Sequence, residues 1–201
     1  MMKKTIILTL AALVLVGCGS SPTRYVDPAA DDGPVSMGLD YRDFERAATE
    51  TVEDMLASGA VSNPNGGRYI MVVSRISNDT MQRIDTGQLT KKIRVALLRS
   101  GKVVTTTAVG LNGAEDEMNM AARELRNSDE FDQSGVQKKG TLQAPDLSLS
   151  GKIIQKNRSL GDEQQVEYYI QLSLTDLASG LAFWEGETPI IKRGSNDSVS
   201  W

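Results

Sequence analysis

The sequence contains no histidine and only one cysteine, and each shortage removes a class of chemistry. Without imidazole there is no ordinary general base near neutral pH, no Ser-His-Asp arrangement and none of the commonest zinc ligands. With one cysteine no disulfide closes within the chain and no thiolate cluster forms. A membrane-spanning segment is missing too: the one extended apolar run, Ile6 to Val16, has eleven residues, about half of the ~20 that a spanning helix needs. Glycine-rich phosphate cradles are absent, because Asn65-Gly66-Gly67 lacks the lysine and following Ser/Thr of a P-loop. The acidic clusters Glu115-Asp116-Glu117 and Asp129-Glu130-Asp132 read as solvated faces or helix-dipole partners rather than catalytic pairs. The chain is therefore not expected to be an enzyme.

What is present begins with Cys18. Lys3 and Lys4 precede the apolar run and Gly17 follows it, the order of an export signal covering residues 1–17. Leu15-Val16-Gly17-Cys18 resembles a bacterial lipobox, in which the cysteine thiol receives a diacylglycerol and cleavage leaves an acylated N-terminus. Cys18 is thus the expected lipid-attachment site, carrying a covalent diacylglycerol and an N-acyl chain, and no other cofactor and no metal is expected. Several acyl chains on one residue hold far more firmly than one, since each buried methylene contributes about 0.8 kcal/mol. In lipoproteins of this type Gly19 and Ser20 after the cysteine point to the outer membrane, facing the periplasm. Losing Lys3 and Lys4 with the signal takes the net charge from −4 to −6, so nucleic acid is not an expected partner.

Residues 18–39 read as the lipidated cysteine and a flexible linker. Three of the six prolines (Pro22, Pro28, Pro34) lie there among Asp, Gly, Ser and Ala, with too little apolar surface to fold. Residues 40–193 read as one globular domain and 194–201 as a polar tail. Tyr41, Phe44, Ala48, Val52 and Met55 recur at helical spacing up to Ser58-Gly59. Tyr69 to Ile76 is a short β-rich run of the kind found in a buried central strand. Asp85 and Gln88 predict a capping box, Ile84 and Leu89 a hydrophobic staple, and Ser100-Gly101 the stop of a second helix. That helix is apolar on two sides: Leu89, Ile93, Ala96 and Leu97 on one, Val95 and Leu98 on the other, which favours a position between two layers. Lys102 to Val109 reads as a strand, and Asn112 with Glu115 as the cap of a third helix carrying Met118, Ala121, Ala122 and Leu125. After a polar loop over 127–146, strands follow from Leu147. Val166, Tyr168, Ile170, Leu172 and Leu174 alternate with polar residues at period two, and Leu181 to Lys192 returns with Phe183 and Trp184 on opposite faces. The fold class is α/β (α+β): a mixed sheet with about three helices packed on it and antiparallel strands at its C-terminal end.

Three stretches also carry a family resemblance: "RISNDTMQRIDTGQLTKKIRVALLRSGKVV" (Arg75 to Val104), "PDLSLSGKI" (Pro145 to Ile153) and "YYIQLSLTDLASGLAFWEGE" (Tyr168 to Glu187). In this order behind a lipobox they resemble the penicillin-binding protein activator LpoB family. The resemblance implies a fold like the N-terminal domain of TolB and an outer-membrane lipoprotein, expected to be monomeric. Its implied partner is a bifunctional class A penicillin-binding protein, a peptidoglycan synthase, which it binds and activates. The tether here is shorter than the proline-rich linker of the best-known members. The partner contacts expected are the polar loop residues Ser77, Asn78, Asp79, Thr80 and Arg83, since loops on a rigid scaffold often carry function. The alternative is an envelope secretion or assembly lipoprotein related to the curli secretion component. Its pore would need neighbouring strands with lipid-facing apolar rows, and Lys152, Lys156 and Arg158 interrupt the strand beside residues 166 to 174.

Overall fold

The computed structural model describes residues 23–28 and 30–198. The signal segment, Cys18 with its lipobox, Gly19, Ser20 and the last residues of the tail lie outside them. The chain divides into two compact units, Met1–Pro34 and Val35–Trp201. In the first, the described residues from 23 onward form no helix or strand, and Tyr25 is fully exposed. The second unit starts earlier than the composition implied. Met37 and Leu39, assigned above to the linker, are buried among the core residues, and the Tyr168 hydroxyl donates to Met37 O at 3.3 Å. Burial, with the Asp43 carboxylate nearby, raises the Tyr168 pKa above its ordinary value.

Among the described residues the α-helices and strands are, in chain order, α1 (Tyr41–Ala57), β1 (Tyr69–Asp79), α2 (Thr86–Arg99), β2 (Val103–Thr105), α3 (Glu117–Glu124), β3 (Leu147–Leu160), β4 (Glu163–Asp176) and β5 (Ala182–Ser195). The five strands form one mixed sheet in the order β2-β1-β3-β4-β5. β1 runs parallel to both β2 and β3, whereas β3, β4 and β5 form an antiparallel meander. This is an α+β fold with the antiparallel C-terminal strands that the period-two pattern required.

The core lies between α1, α2 and one face of the sheet. Phe44, Ala47, Ala48, Val52 and Met55 of α1 and Leu89, Ile93 and Leu97 of α2 meet Val166, Tyr168, Ile170, Leu172 and Leu174 of β4. Each fully buried aliphatic or aromatic side chain contributes about 1.5–3 kcal/mol. β3 and β4 are joined by two residues only, and Gly161 takes the positive φ of 71° that such a hairpin needs at its first position. Across the centre of the sheet, Gly151, Leu172 and Gly186 face one another in register. A Cβ at Gly151 would stand 2.2 Å from the Gln171 carbonyl oxygen, and one at Gly186 would stand 2.2 Å from the Trp184 ring.

The helix ends follow local chemistry, with one exchange of roles. A reciprocal capping box forms at α1, where Asp40 Oδ1 accepts from Arg42 N and Asp43 N and Asp43 Oδ2 accepts from Asp40 N. At α2 Asp85 does cap the helix through Gly87 N at 2.9 Å, but no return bond from Gln88 is formed. Nor is α2 sandwiched between layers: Leu98 is exposed, and Val95 is half-buried in the groove against α1. The second apolar side is a surface feature.

Two further expectations are corrected by tertiary context. β2 is three residues long, because the chain leaves the sheet after Thr105 and β-branched composition alone does not supply a pairing partner. α3 is capped by Asp116, not Asn112, and does not pack on the sheet. Met118, Ala121 and Ala122 are exposed, and its buried residue is Arg123. The Arg123 guanidinium donates to Asn119 Oδ1, Thr141 Oγ1 and Lys138 O, so it ties α3 to its own following loop.

Candidate docking surface

The two large helices cover one face of the sheet and leave the other open. On that open face the register sets up rows of side chains across β1, β3, β4 and β5. Ser77, Lys152, Gln171 and Glu187 form one row, and Asp79, Ile154, Tyr169 and Pro189 the next. A shallow cleft of about 620 Å3 lies over the first row, with Ser150, Ser173 and Glu185 also in its wall.

Ser77 reaches this face because of an irregularity in β1. The pairing shifts between Val73 and Ile76, so that one extra residue is inserted opposite β3. Before the shift Met71 and Val73 point into the core; after it Ile76 does, and Ser77 and Asp79 turn outward. A strict period of two would have buried Ser77 on the helix side.

The polar groups of the open face are held by one another. Gln171 Nε2 donates to Glu187 Oε2 at 2.6 Å and Ser173 Oγ to Glu185 Oε1 at 3.1 Å. Tyr169 Oη donates to Glu167 Oε2 at 2.7 Å, and Gln165 Nε2 donates to Glu167 Oε1 at the same distance. These bonds hold the Glu167 carboxyl below its ordinary range, the Tyr169 contact being the larger cause, and the same contact raises the Tyr169 phenol. Lys156 Nζ stands 5.1 Å from the centroid of the Tyr169 ring, a cation–π contact. The result is a pre-arranged surface with defined charge positions, the kind that fixes a partner's register.

The five loop residues expected from the sequence separate into two groups. Asn78 and Thr80 are consumed by the turn: Asn78 Oδ1 accepts from Thr80 Oγ1 at 2.7 Å and Asn78 Nδ2 donates to Gln82 O at 2.8 Å. Ser77 joins the open face, with a long 3.5 Å contact to Gly151 O. Asp79 stands exposed in the second row of the open face, and Arg83 is exposed in the loop beyond it, whereas Met81 lies on the helix side of β3, where its N–H donates to Gln155 Oε1 at 3.1 Å. Lys152, Gln171, Tyr169 and Glu187 were not singled out by sequence. For Tyr169 and Gln171 the signal was the polar half of the period-two pattern at 167–175; their grouping with Lys152 and Glu187 depends on register, which only the pairing reveals. Among the described residues no group of His, Cys, Asp or Glu could hold a metal ion, and no helix there is long and apolar enough to cross a membrane.

Comparison with known proteins settles the family. The family model for the peptidoglycan-synthase activator LpoB matches residues 43–190. The chain belongs to the LpoB family. No curated protein sequence matches it significantly. Among solved structures, the LpoB C-terminal domain from Salmonella enterica aligns with a TM-score of 0.42 and 19% identity, over 74% of this chain and 98% of that one. The NMR structure of Escherichia coli LpoB aligns with a TM-score of 0.40 and 15% identity, over 90% of this chain and 81% of the other. Lipoprotein GNA1162 from Neisseria meningitidis gives 0.34 and 13%, over 64% and 88%. The matched span takes in α1 from its third residue and every later element down to Ile190 within β5, and so includes both the open sheet face and the loop that follows β1.

Proposed function

We propose that this LpoB-family chain is an outer-membrane lipoprotein, held by acyl chains on Cys18, that binds a bifunctional class A penicillin-binding protein and raises its rate of peptidoglycan synthesis. The observation that carries the reading is the family match over residues 43–190. The open sheet face, with Asp79 in its second row and Arg83 exposed in the loop that follows β1, supports it by offering a rigid polar surface. The residues offer contact: Glu167, Glu185 and Glu187 of the open face are engaged in hydrogen bonds with their neighbours, and Lys152 adds a positive charge.

Stimulation requires that the domain bind the active form of the synthase more tightly than the resting form. A rigid face suits this. Its side chains lose little freedom on docking, so more of the interaction free energy is available to favour one state of the partner. Charge on the face sets orientation and encounter rate more than affinity.

The test adds the full-length protein in detergent to a purified cognate synthase and follows glycan polymerisation. A rise in rate with formation of a complex is expected. Reversing Lys152 and Arg83 to glutamate should reduce the stimulation at least about tenfold while the fold persists, as removing anchor contacts typically does. No complex and no change in rate would remove the activator reading.

A further inference from the structure

A second cleft, of about 600 Å3, opens elsewhere, between the first half of α2, the irregular stretch of β1 and the loop from Val109 to Glu115. Its wall includes Arg75, Thr86, Thr90, Arg94, Val109 and Leu111. Arg94 decides its chemistry. The residue is only 7% exposed, although it stands on the same helix as the surface cations Lys91, Lys92 and Arg99. Its Nη1 donates to Glu115 Oε1. Its Nε is buried without a partner, and no bond is made by Nη2 among the described residues.

In a guanidinium the Nε and Nη2 hydrogens point the same way and form a fork matched to a carboxylate, which accepts two parallel hydrogen bonds. Glu115 takes the other corner, and no acceptor among the described residues meets that fork. Native structures rarely leave a buried donor without an acceptor, so this one calls for a partner. The charged residues of the wall are mixed, with Arg75, Lys91 and Arg94 against Glu115 and Glu117, a surplus of one cation, and the Asp85-capped N-terminus of α2 opens at the same place. Its volume is within the range of small-ligand sites. Val109 and Leu111, 45% and 71% exposed at its mouth, favour an anion carried on an apolar group over a fully hydrated inorganic one.

We propose that this cleft binds the C-terminal carboxylate of a short peptide ending in a small apolar residue, with the Nε/Nη2 fork of Arg94 as its anchor. The inference is independent of synthase docking. The same chemistry is offered by the end of a protein chain and by a peptide stem of peptidoglycan. The experiment titrates the full-length, 15N-labelled protein in detergent and follows the amides of Gly87, Gly110 and Gly113. The probes are acetyl-Ala-Ala, its C-terminal amide, a disaccharide-tetrapeptide and inorganic phosphate.

Saturable shifts are expected with acetyl-Ala-Ala, and binding at least about tenfold weaker for the amide and for phosphate, since neither offers the planar carboxylate. Tighter binding of the disaccharide-tetrapeptide assigns the source to peptidoglycan; equal or weaker binding assigns it to a protein terminus. Arg94→Lys keeps the charge but loses the fork and should weaken binding about tenfold. Glu115→Gln removes the competing anion and should tighten it, an effect opposite in sign to general damage. No saturation below about 10 mM, equal affinity for acid and amide, or weakening by Glu115→Gln would overturn the proposal.

Discussion

At the scale of single residues, Lys192 and Asp43 carry the clearest energetic consequence. Lys192 Nζ lies 2.5 Å from Asp43 Oδ2 and 2.6 Å from Gly38 O, and both side chains of the pair are less than a tenth exposed. One cation thereby fastens the first turn of α1 and the stretch before it to β5. Removing it leaves Asp43 buried and uncompensated, so Lys192→Met should lower stability by about 3–5 kcal/mol in urea denaturation. Gly151 gives a second case. With the Gln171 carbonyl oxygen in the way, Gly151→Ala must push apart the backbones of β3 and β4 and should cost about 1–3 kcal/mol or more by the same measurement.

Among elements, α1 and α2 are fixed by the core and α3 is not. α3 has one buried residue and is held by the hydrogen bonds of Arg123 to its own loop. Segments with few buried apolar contacts open at low free energy. Amides of Glu117–Glu124 should therefore exchange with deuterium well before those of α1, α2 and β4; equal protection would show α3 to be part of the cooperative core. The same contrast explains what was legible in the sequence. α1, α2 and the strands from Leu147 onward were readable because a long run of one period, 3.6 or 2, reports a face that must be buried. α3 was readable as a helix but not as an unpacked one, since Met118 and the alanines at 121 and 122 give the pattern of a buried stripe without the contacts. Ser77 was expected in a loop and lies instead on a sheet face, and the inserted residue that turns it outward leaves no mark in composition. Arg94 went unnoticed because a cation on a helix is normally a surface residue.

For the whole molecule, titration and topology give two consequences. With no histidine, no side chain of the folded unit ordinarily titrates between pH 5 and 8, so its stability should be flat there. Below that window the carboxylates act. For Asp40 burial raises the pKa, but the Arg42 contact and the backbone donors of Arg42 and Asp43 outweigh it, and the result lies below the ordinary 3.8. Ser179 likewise holds Asp176 below 3.8 through its hydroxyl and its backbone N–H. A depressed folded pKa stabilises above the unfolded value and loses that stabilisation as pH falls through the folded one. Urea midpoints should accordingly hold steady from pH 8 to 5 and fall below about pH 4, and Asp40→Asn, which still caps α1, should shallow the fall. Topology bears on synthesis. β1, second in the sheet, comes from the first half of the chain and needs β3, the central strand, whose first residue follows its last by 68 positions. A nascent polypeptide emerging N-terminus first therefore cannot complete its sheet until the final third has been delivered, whereas the β3–β4–β5 hairpins close locally and fast. Until then the only strand available to β1 is the three-residue β2, and its other edge stays open to unintended pairing.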